Sequence, residues 1–267
     1  MATNCKGKNA EPAIASDSGL DGHHIISLHA GYETDGLYTD AFLARPADGL
    51  PRPGVILLSG MFGLSWTQRE LTRYYARQGF VALSPNYIAE GIPGDRTNAL
   101  RTKNSLDIEV TVARLIGGAA FLRSLPWVGA DRKVGIMGFC LGGGLALLAL
   151  ARSSAFQAGI VYHQSLFPDE RELRNIQCKM QCHYGTEDSS TPQSEVDAFT
   201  AALDRFGKSY DLYIYKGMGH SFAQFAPDAE LPVPQRAAAD LSYARSFEFF
   251  HKELEGLAEQ YAGQSKT

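Results

Sequence analysis

Eight short runs rich in Val, Ile, Leu and Tyr recur along the chain, at 23–32, 39–45, 54–59, 80–85, 133–139, 158–163, 178–184 and 210–216. Between several of them lie stretches with helical spacing, at 66–78, 105–124, 140–152, 193–206 and 235–255. This alternation constrains the fold strongly. A parallel sheet is covered by crossover helices on both faces, so its strands read as near-continuous apolar runs. The first two runs have no helix between them, which predicts an antiparallel start. Gly79, Gly129 and Gly207 punctuate helix exits, where a left-handed residue ends a helix with least strain. The 267 residues contain no internal repeat and no interdomain linker. One α/β domain over 23–258 is expected, with polar tails at 1–22 and 259–267.

Composition removes several function classes. The net charge is −4 and no Lys/Arg block stands out, so neither nucleic acid nor an anionic membrane is an expected partner. No apolar stretch approaches the ~20 residues that span a bilayer. Residues 1–22 lack the apolar core of a signal peptide. Four cysteines do not make a disulfide framework, which points to a reducing, cytoplasmic setting. Cys178 and Cys182 share one face of a predicted strand without zinc spacing, and read as small core residues. His23 and His24 have no evident metal partners, so neither metal nor cofactor is expected. The Gly-rich, charged segment 88–104 is either a lid carrying Arg96 or Arg101 into a pocket or a solvated connection. The second reading is preferred for each arginine.

Open parallel sheets bind ligands at the carboxyl ends of their strands. Following each run to that end gives Gly60-Met61-Phe62, Tyr87, Cys140, Tyr162-His163, Asp188 and His220. Cys140 stands in GFCLGGG, between a β-like run and an apolar helical run. A strand turning straight into a helix forces the residue between them into a strained conformation with little room, and Gly138 and Gly142 bring no Cβ to that turn. The new helix also aims N–H groups and partial positive charge at the sulfur, which favours thiolate. The bland alternative is a buried cysteine acting as a small hydrophobe. Against it stand Asp188 in HYGTEDSSTP and His220 in YKGMGHSF, each just past a predicted strand. A carboxylate can fix the tautomer of an imidazole, and the imidazole can reach the sulfur. Nucleophile, acid, histidine is the chain order of an α/β-hydrolase triad, with sulfur replacing the hydroxyl of the G-x-S-x-G elbow. Turn capping is the competing role for Asp188, and Glu187 is its local rival.

From about 25 to 255, the segments GVILLSGMFGLSWTQRELTRYYARQGFVALSPNYI, KVGIMGFCLGGGLAL, HYGTEDSSTP and YKGMGHSFA have counterparts, in order, in the dienelactone hydrolase family. The chain resembles a divergent member of that family. The resemblance implies an α/β-hydrolase fold with an eight-stranded, mostly parallel sheet and helices on both faces. It implies Cys140 as nucleophile, His220 as base and Asp188 as orienting acid, with an oxyanion hole from the backbone N–H groups of Met61 and Leu141. Two positions depart from the family pattern. Gly60 stands where the dienelactone enzymes end the third strand with a glutamate that contacts the resting thiol. Gln224 stands where they carry an arginine for the substrate carboxylate, a charge-assisted partner replaced by a neutral amide.

The expected function is therefore hydrolysis of small activated esters or lactones through a thioester. Short, neutral substrates are expected from the two departures, in a site lined by Phe62, Trp66, Tyr87, Phe139, Tyr162, His163, Phe222 and Gln224. Phosphotriester hydrolysis at the same cysteine is an alternative, and a catalytically silent binding module is another. A small molecule is the expected partner. The sequence leaves a homodimer open.

Overall fold

The computed structural model describes residues 22–88, 95–129 and 133–255, so most of both expected tails lies outside the described residues. Eight strands form one sheet: β1 (Ile25–Thr34), β2 (Leu37–Pro46), β3 (Gly54–Leu58), β4 (Val81–Pro85), β5 (Val134–Phe139), β6 (Ala158–Tyr162), β7 (Lys179–Gly185) and β8 (Tyr210–Tyr215). Their order is β1-β2-β4-β3-β5-β6-β7-β8. β1 pairs antiparallel with β2, and β2 antiparallel with β4; every other pairing is parallel. This is the α/β-hydrolase fold with the antiparallel start that the missing first helix predicts.

The helices are α1 (Trp66–Arg77), α2 (Arg96–Asn104), α3 (Ile108–Ser124), α4 (Leu141–Arg152), α5 (Glu170–Leu173), α6 (Gln193–Arg205) and α7 (Val233–Phe250), the last running into a π-turn at His251–Glu255. Alternation along each strand divides the core into two layers. Ile56, Leu58, Ile136 and Val161 pack with α3, α4 and α6. Val55, Leu57, Met137, Phe139, Ile160 and Tyr162 pack with α1 and α7. The central strands β3 to β7 are buried on both sides, which is why their runs read as unbroken, whereas β1 and β8 at the sheet edges keep exposed positions. Cys182 is fully buried in the first layer and Cys178 packs against it, with burial pushing their thiols up to about 12 and about 11. Gly79, Gly129 and Gly207 all have positive φ, at 93°, 81° and 60°.

Two elements differ from expectation. Residues 96–104 are helical rather than a loop, although 89–94 lie outside the described residues. A short helix, α5, also interrupts the loop between β6 and β7. Among the described residues no helix is long and apolar enough to cross a membrane.

The chain reverses direction across the sheet between β3 and β5: after β3 it turns to β4 on one side, and it returns to β5 on the other. Loops leaving these neighbouring strands therefore diverge and open a crevice at their carboxyl ends. Gly60 and Cys140 stand at that crevice.

Candidate active site

Cys140 is the single residue between β5 and α4, at φ 53° and ψ −115°. A non-glycine residue there carries about 1–3 kcal/mol of strain. Its surroundings hold it: its N–H donates to the Tyr162 carbonyl at 3.0 Å, and its carbonyl accepts the N–H groups of Gly143 at 3.1 Å and Ser165 at 3.0 Å. The flanking glycines are steric requirements. A Cβ at Gly138 would lie 2.1 Å from the Gly142 carbonyl oxygen, and one at Gly142 would lie 2.3 Å from that of Ser59.

The acid and histidine loops are joined to each other. Thr186 N–H donates to the Tyr215 carbonyl at 3.1 Å and Glu187 N–H to that of Met218 at 2.9 Å. Gly185 packs so tightly on this return that a Cβ would meet the Met218 carbonyl oxygen at 2.0 Å. Asp188 Oδ1 accepts the N–H groups of Ser190 at 2.8 Å and Thr191 at 2.9 Å. His220 Nδ1 lies 2.8 Å from Asp188 Oδ2 and 3.0 Å from Oδ1. Asp188 thus serves as turn acceptor and histidine partner at once, while Glu187 is exposed.

Cys140 and His220 shift each other in opposite directions. Burial pushes the Cys140 thiol up, but His220, the Ser165 hydroxyl and the Leu141 N–H outweigh it and leave its pKa below the ordinary thiol value. Burial pulls His220 down, but hydrogen bonding to Asp188 and Cys140 raises it to about 9. Both shifts favour a thiolate–imidazolium pair. Burial also pushes Asp188 up, and its contacts with His220 and with the Thr191 and Ser190 N–H groups bring it below the ordinary carboxylate value.

A cavity of about 610 Å³ opens over the sulfur. Its wall includes Gly60, Met61, Phe62, Cys140, His220 and Gln224. Of the eight residues expected as substrate contacts, Phe62 and Gln224 line it and the other six do not. Trp66 begins α1 and is 61% exposed on the exterior. Phe139 and Tyr162 face the α1/α7 layer because of strand alternation, and the Tyr162 hydroxyl bonds Ser246 at 2.8 Å. Phe222 is buried in the same layer against Tyr215, with ring centroids 4.8 Å apart. Tyr87 is buried beneath the end of β3, bonded to the Ser59 carbonyl. His163 is fully buried behind His220, its ring centroid 4.5 Å away, and burial drives its pKa down to about 3.

Other residues complete the wall, Arg96, Lys103 and Ser165 among them. Arg96 and Lys103 of α2 reach the cavity wall, whereas Arg101 bonds Asn98 at 3.0 Å on the surface. Arg96 is exposed, as expected of a solvated arginine, and also borders the cavity because the segment is a helix beside the site. Ser165 also lines the cavity, with its hydroxyl 3.3 Å from Cys140 Sγ. It follows β6 at the carboxyl end of the sheet, so the strand-end rule that found Tyr162 and His163 stopped just short of it.

The two departures from the family pattern meet in space. A Cβ at Gly60 would lie 3.0 Å from Gln224 Nε2, 3.3 Å from its Oε1 and 3.6 Å from Cys140 Cβ. The Gln224 amide fills the room that a side chain at position 60 would occupy.

Among the described residues no group of three or more His, Cys, Asp or Glu side chains is arranged to hold a metal ion. The profile of the Dienelactone hydrolase family matches residues 39–254. The carboxymethylenebutenolidase of Pseudomonas putida is 26% identical over 226 residues, which are 80% of this chain and 92% of that protein. A dienelactone hydrolase structure from Anabaena variabilis is similar with a TM-score of 0.65 at 22% identity, covering 87% of this chain and all of that one. The dienelactone hydrolase-like promiscuous phosphotriesterase P91, from metagenomic libraries, aligns with a TM-score of 0.72 at 20% identity over 84% of this chain and 97% of that one.

Proposed function

Because the chain belongs to the dienelactone hydrolase family, we propose that it hydrolyses small activated esters or lactones through a Cys140–His220–Asp188 triad and a thioester intermediate. The observation that carries this reading is the 2.8 Å contact of His220 with Asp188, on an imidazole that also pairs with the elbow sulfur. The thiolate attacks the carbonyl carbon and the oxyanion forms. When the intermediate collapses, His220 protonates the departing alkoxide, and it then takes a proton from water as that water attacks the thioester. Met61 N–H beside the cavity and Leu141 N–H at the sulfur are the oxyanion donors in this scheme, each worth about 3–4 kcal/mol in the transition state. Thiolate is itself a good leaving group, so activated esters and lactones suit this site better than amides.

The wall bears on substrate charge. Gly60 and Gln224 favour neutral substrates, but Arg96 and Lys103 bring positive charge to the same cavity. An ester bearing a carboxylate therefore has partners here even without the arginine at 224. The alternative phosphotriester reading is supported by the lack of carboxylates among the described lining residues and by the similarity to the promiscuous phosphotriesterase P91.

Stopped-flow hydrolysis of p-nitrophenyl acetate tests the proposal. A burst equal to the enzyme concentration is expected, with an acetyl adduct on the Cys140 peptide, both absent in Cys140→Ala. A variant that keeps the burst overturns it. Running neutral and carboxylated esters beside paraoxon ranks the substrate classes.

A further inference from the structure

Cys140 has a second polar neighbour besides the histidine. Ser165 is tied to it backbone to backbone by the 3.0 Å bond from its N–H to the Cys140 carbonyl, and its Oγ lies 3.3 Å from Sγ. Behind the hydroxyl stands Lys103 of α2, with Nζ 3.4 Å from Ser165 Oγ. We propose that Ser165 is a catalytic hydrogen-bond donor to the Cys140 sulfur and that Lys103 is the positioning residue that aims it.

The chemistry follows from what each group can do. An ammonium only donates, whereas a hydroxyl donates once and accepts through two lone pairs. Lys103 therefore occupies a lone pair of Ser165 and leaves the O–H free to turn toward sulfur. When Cys140 is a thiol, its S–H donates to Ser165; when it is a thiolate, the hydroxyl rotates and donates back. The bond is thus available in both states and stronger in the ionised one.

The need for such a donor is greatest in deacylation. His220 must then turn to the attacking water and no longer serves the sulfur. As the tetrahedral intermediate collapses, the C–S bond breaks and its electron pair returns to sulfur. The proton taken from water stays on His220, and the Ser165 O–H receives the new negative charge. The other titratable and charged groups around Sγ are His220 with Asp188 behind it, Tyr87 from the end of β4, and Arg96 on the cavity wall. Of these, the histidine is the partner that moves to water, while Ser165 is fixed to the elbow backbone.

This inference rests on Cys140 being the nucleophile, so its test is read on the thiol without turnover. The rate of iodoacetamide alkylation of the Cys140 peptide is followed by mass spectrometry against pH for the parent, Ser165→Ala, Ser165→Thr and Lys103→Met. Ser165→Ala is expected to move the inflection upward by about one pH unit, which slows alkylation about tenfold below it. Ser165→Thr restores the parent profile, and Lys103→Met shifts it in the same direction by less. With an ester substrate, kcat falls in Ser165→Ala while KM holds, and acyl-enzyme accumulates. A Ser165→Ala profile superimposable on the parent, with circular dichroism unchanged, overturns the proposal, as does failure of threonine to restore it. An unmoved Lys103→Met profile removes the lysine from it. If the inflection moves but the parent shows no ester burst, the hydrolase reading fails and the sulfur contact stands.

Discussion

Asp188 shows how much one side chain carries. It closes its own turn through Ser190 and Thr191 and orients His220 with both oxygens. Asp188→Asn keeps an oxygen for the turn but removes the charge, and an amide NH₂ facing Nδ1 favours the wrong imidazole tautomer. Activity is expected to fall by on the order of 10³–10⁴ with little change in Tm. The pKa of His220 should drop from about 9 toward its ordinary value, so the loss of imidazolium, followed by NMR, moves to lower pH. Ester turnover within tenfold of the parent would contradict this role. Cys140, Asp188 and His220 were legible in the sequence because each sits at a strand end beside glycine or a turn. The aromatic contacts were not. Proximity to a strand end does not say which face a ring takes, and Phe139 and Tyr162 follow the alternation of their strands into the core.

At the scale of elements, α4 is the one that the chemistry leans on. It is buried from Leu141 to Ala151, so neighbours on every side fix its position. Its first turn presses on β3, where an added Cβ at Gly142 would meet the Ser59 and Leu58 carbonyl oxygens at 2.3 and 2.8 Å. Gly142→Ala is therefore expected to lower stability by about 2 kcal/mol or more, because backbone cannot step aside as a side chain can. Urea titration measures this, and ester turnover should fall with it as the Leu141 N–H moves from the sulfur. A Gly142→Ala protein as stable as the parent would show that the elbow has slack. The central strands were readable because burial on both faces leaves unbroken apolar runs, and the long helices because their apolar residues recur at helical spacing. By contrast, α2 has the sequence RTNALRTKN, with a fully buried Ala99 but no apolar stripe, and so hid Lys103 from sequence reasoning and left the pocket reading of Arg96 the less preferred one. With only four residues, α5 is too short to show a period.

Across the whole molecule, the core holds two histidines that burial keeps neutral. His163 packs behind the His220 imidazole, and His183 lies stacked on Tyr162 at 4.3 Å, bonded to Tyr215 and Gln181. Burial lowers both pKa values, His163 to about 3 and His183 well below its ordinary value. The unfolded chain therefore takes up protons that the folded chain refuses. Their contribution to stability is whole above pH ~6.5 and is lost as pH falls toward the folded values, at about 1.4 kcal/mol per pH unit for each histidine. Tm should drop between pH 7 and 5, less steeply in His163→Asn, which keeps a residue tolerant of the φ of 34°. A flat Tm across that range would refute it.

The meeting of Gly60 with the Gln224 amide makes these two sites epistatic. A glutamate restored at 60 alone must first push aside the amide that now fills its place, and an arginine restored at 224 alone would bring its charge to a strand end with no acid to answer it. A mutational path between this site and one with the acid and arginine thus runs through single variants that match neither design. The two positions are best exchanged as a pair when the pocket is re-engineered.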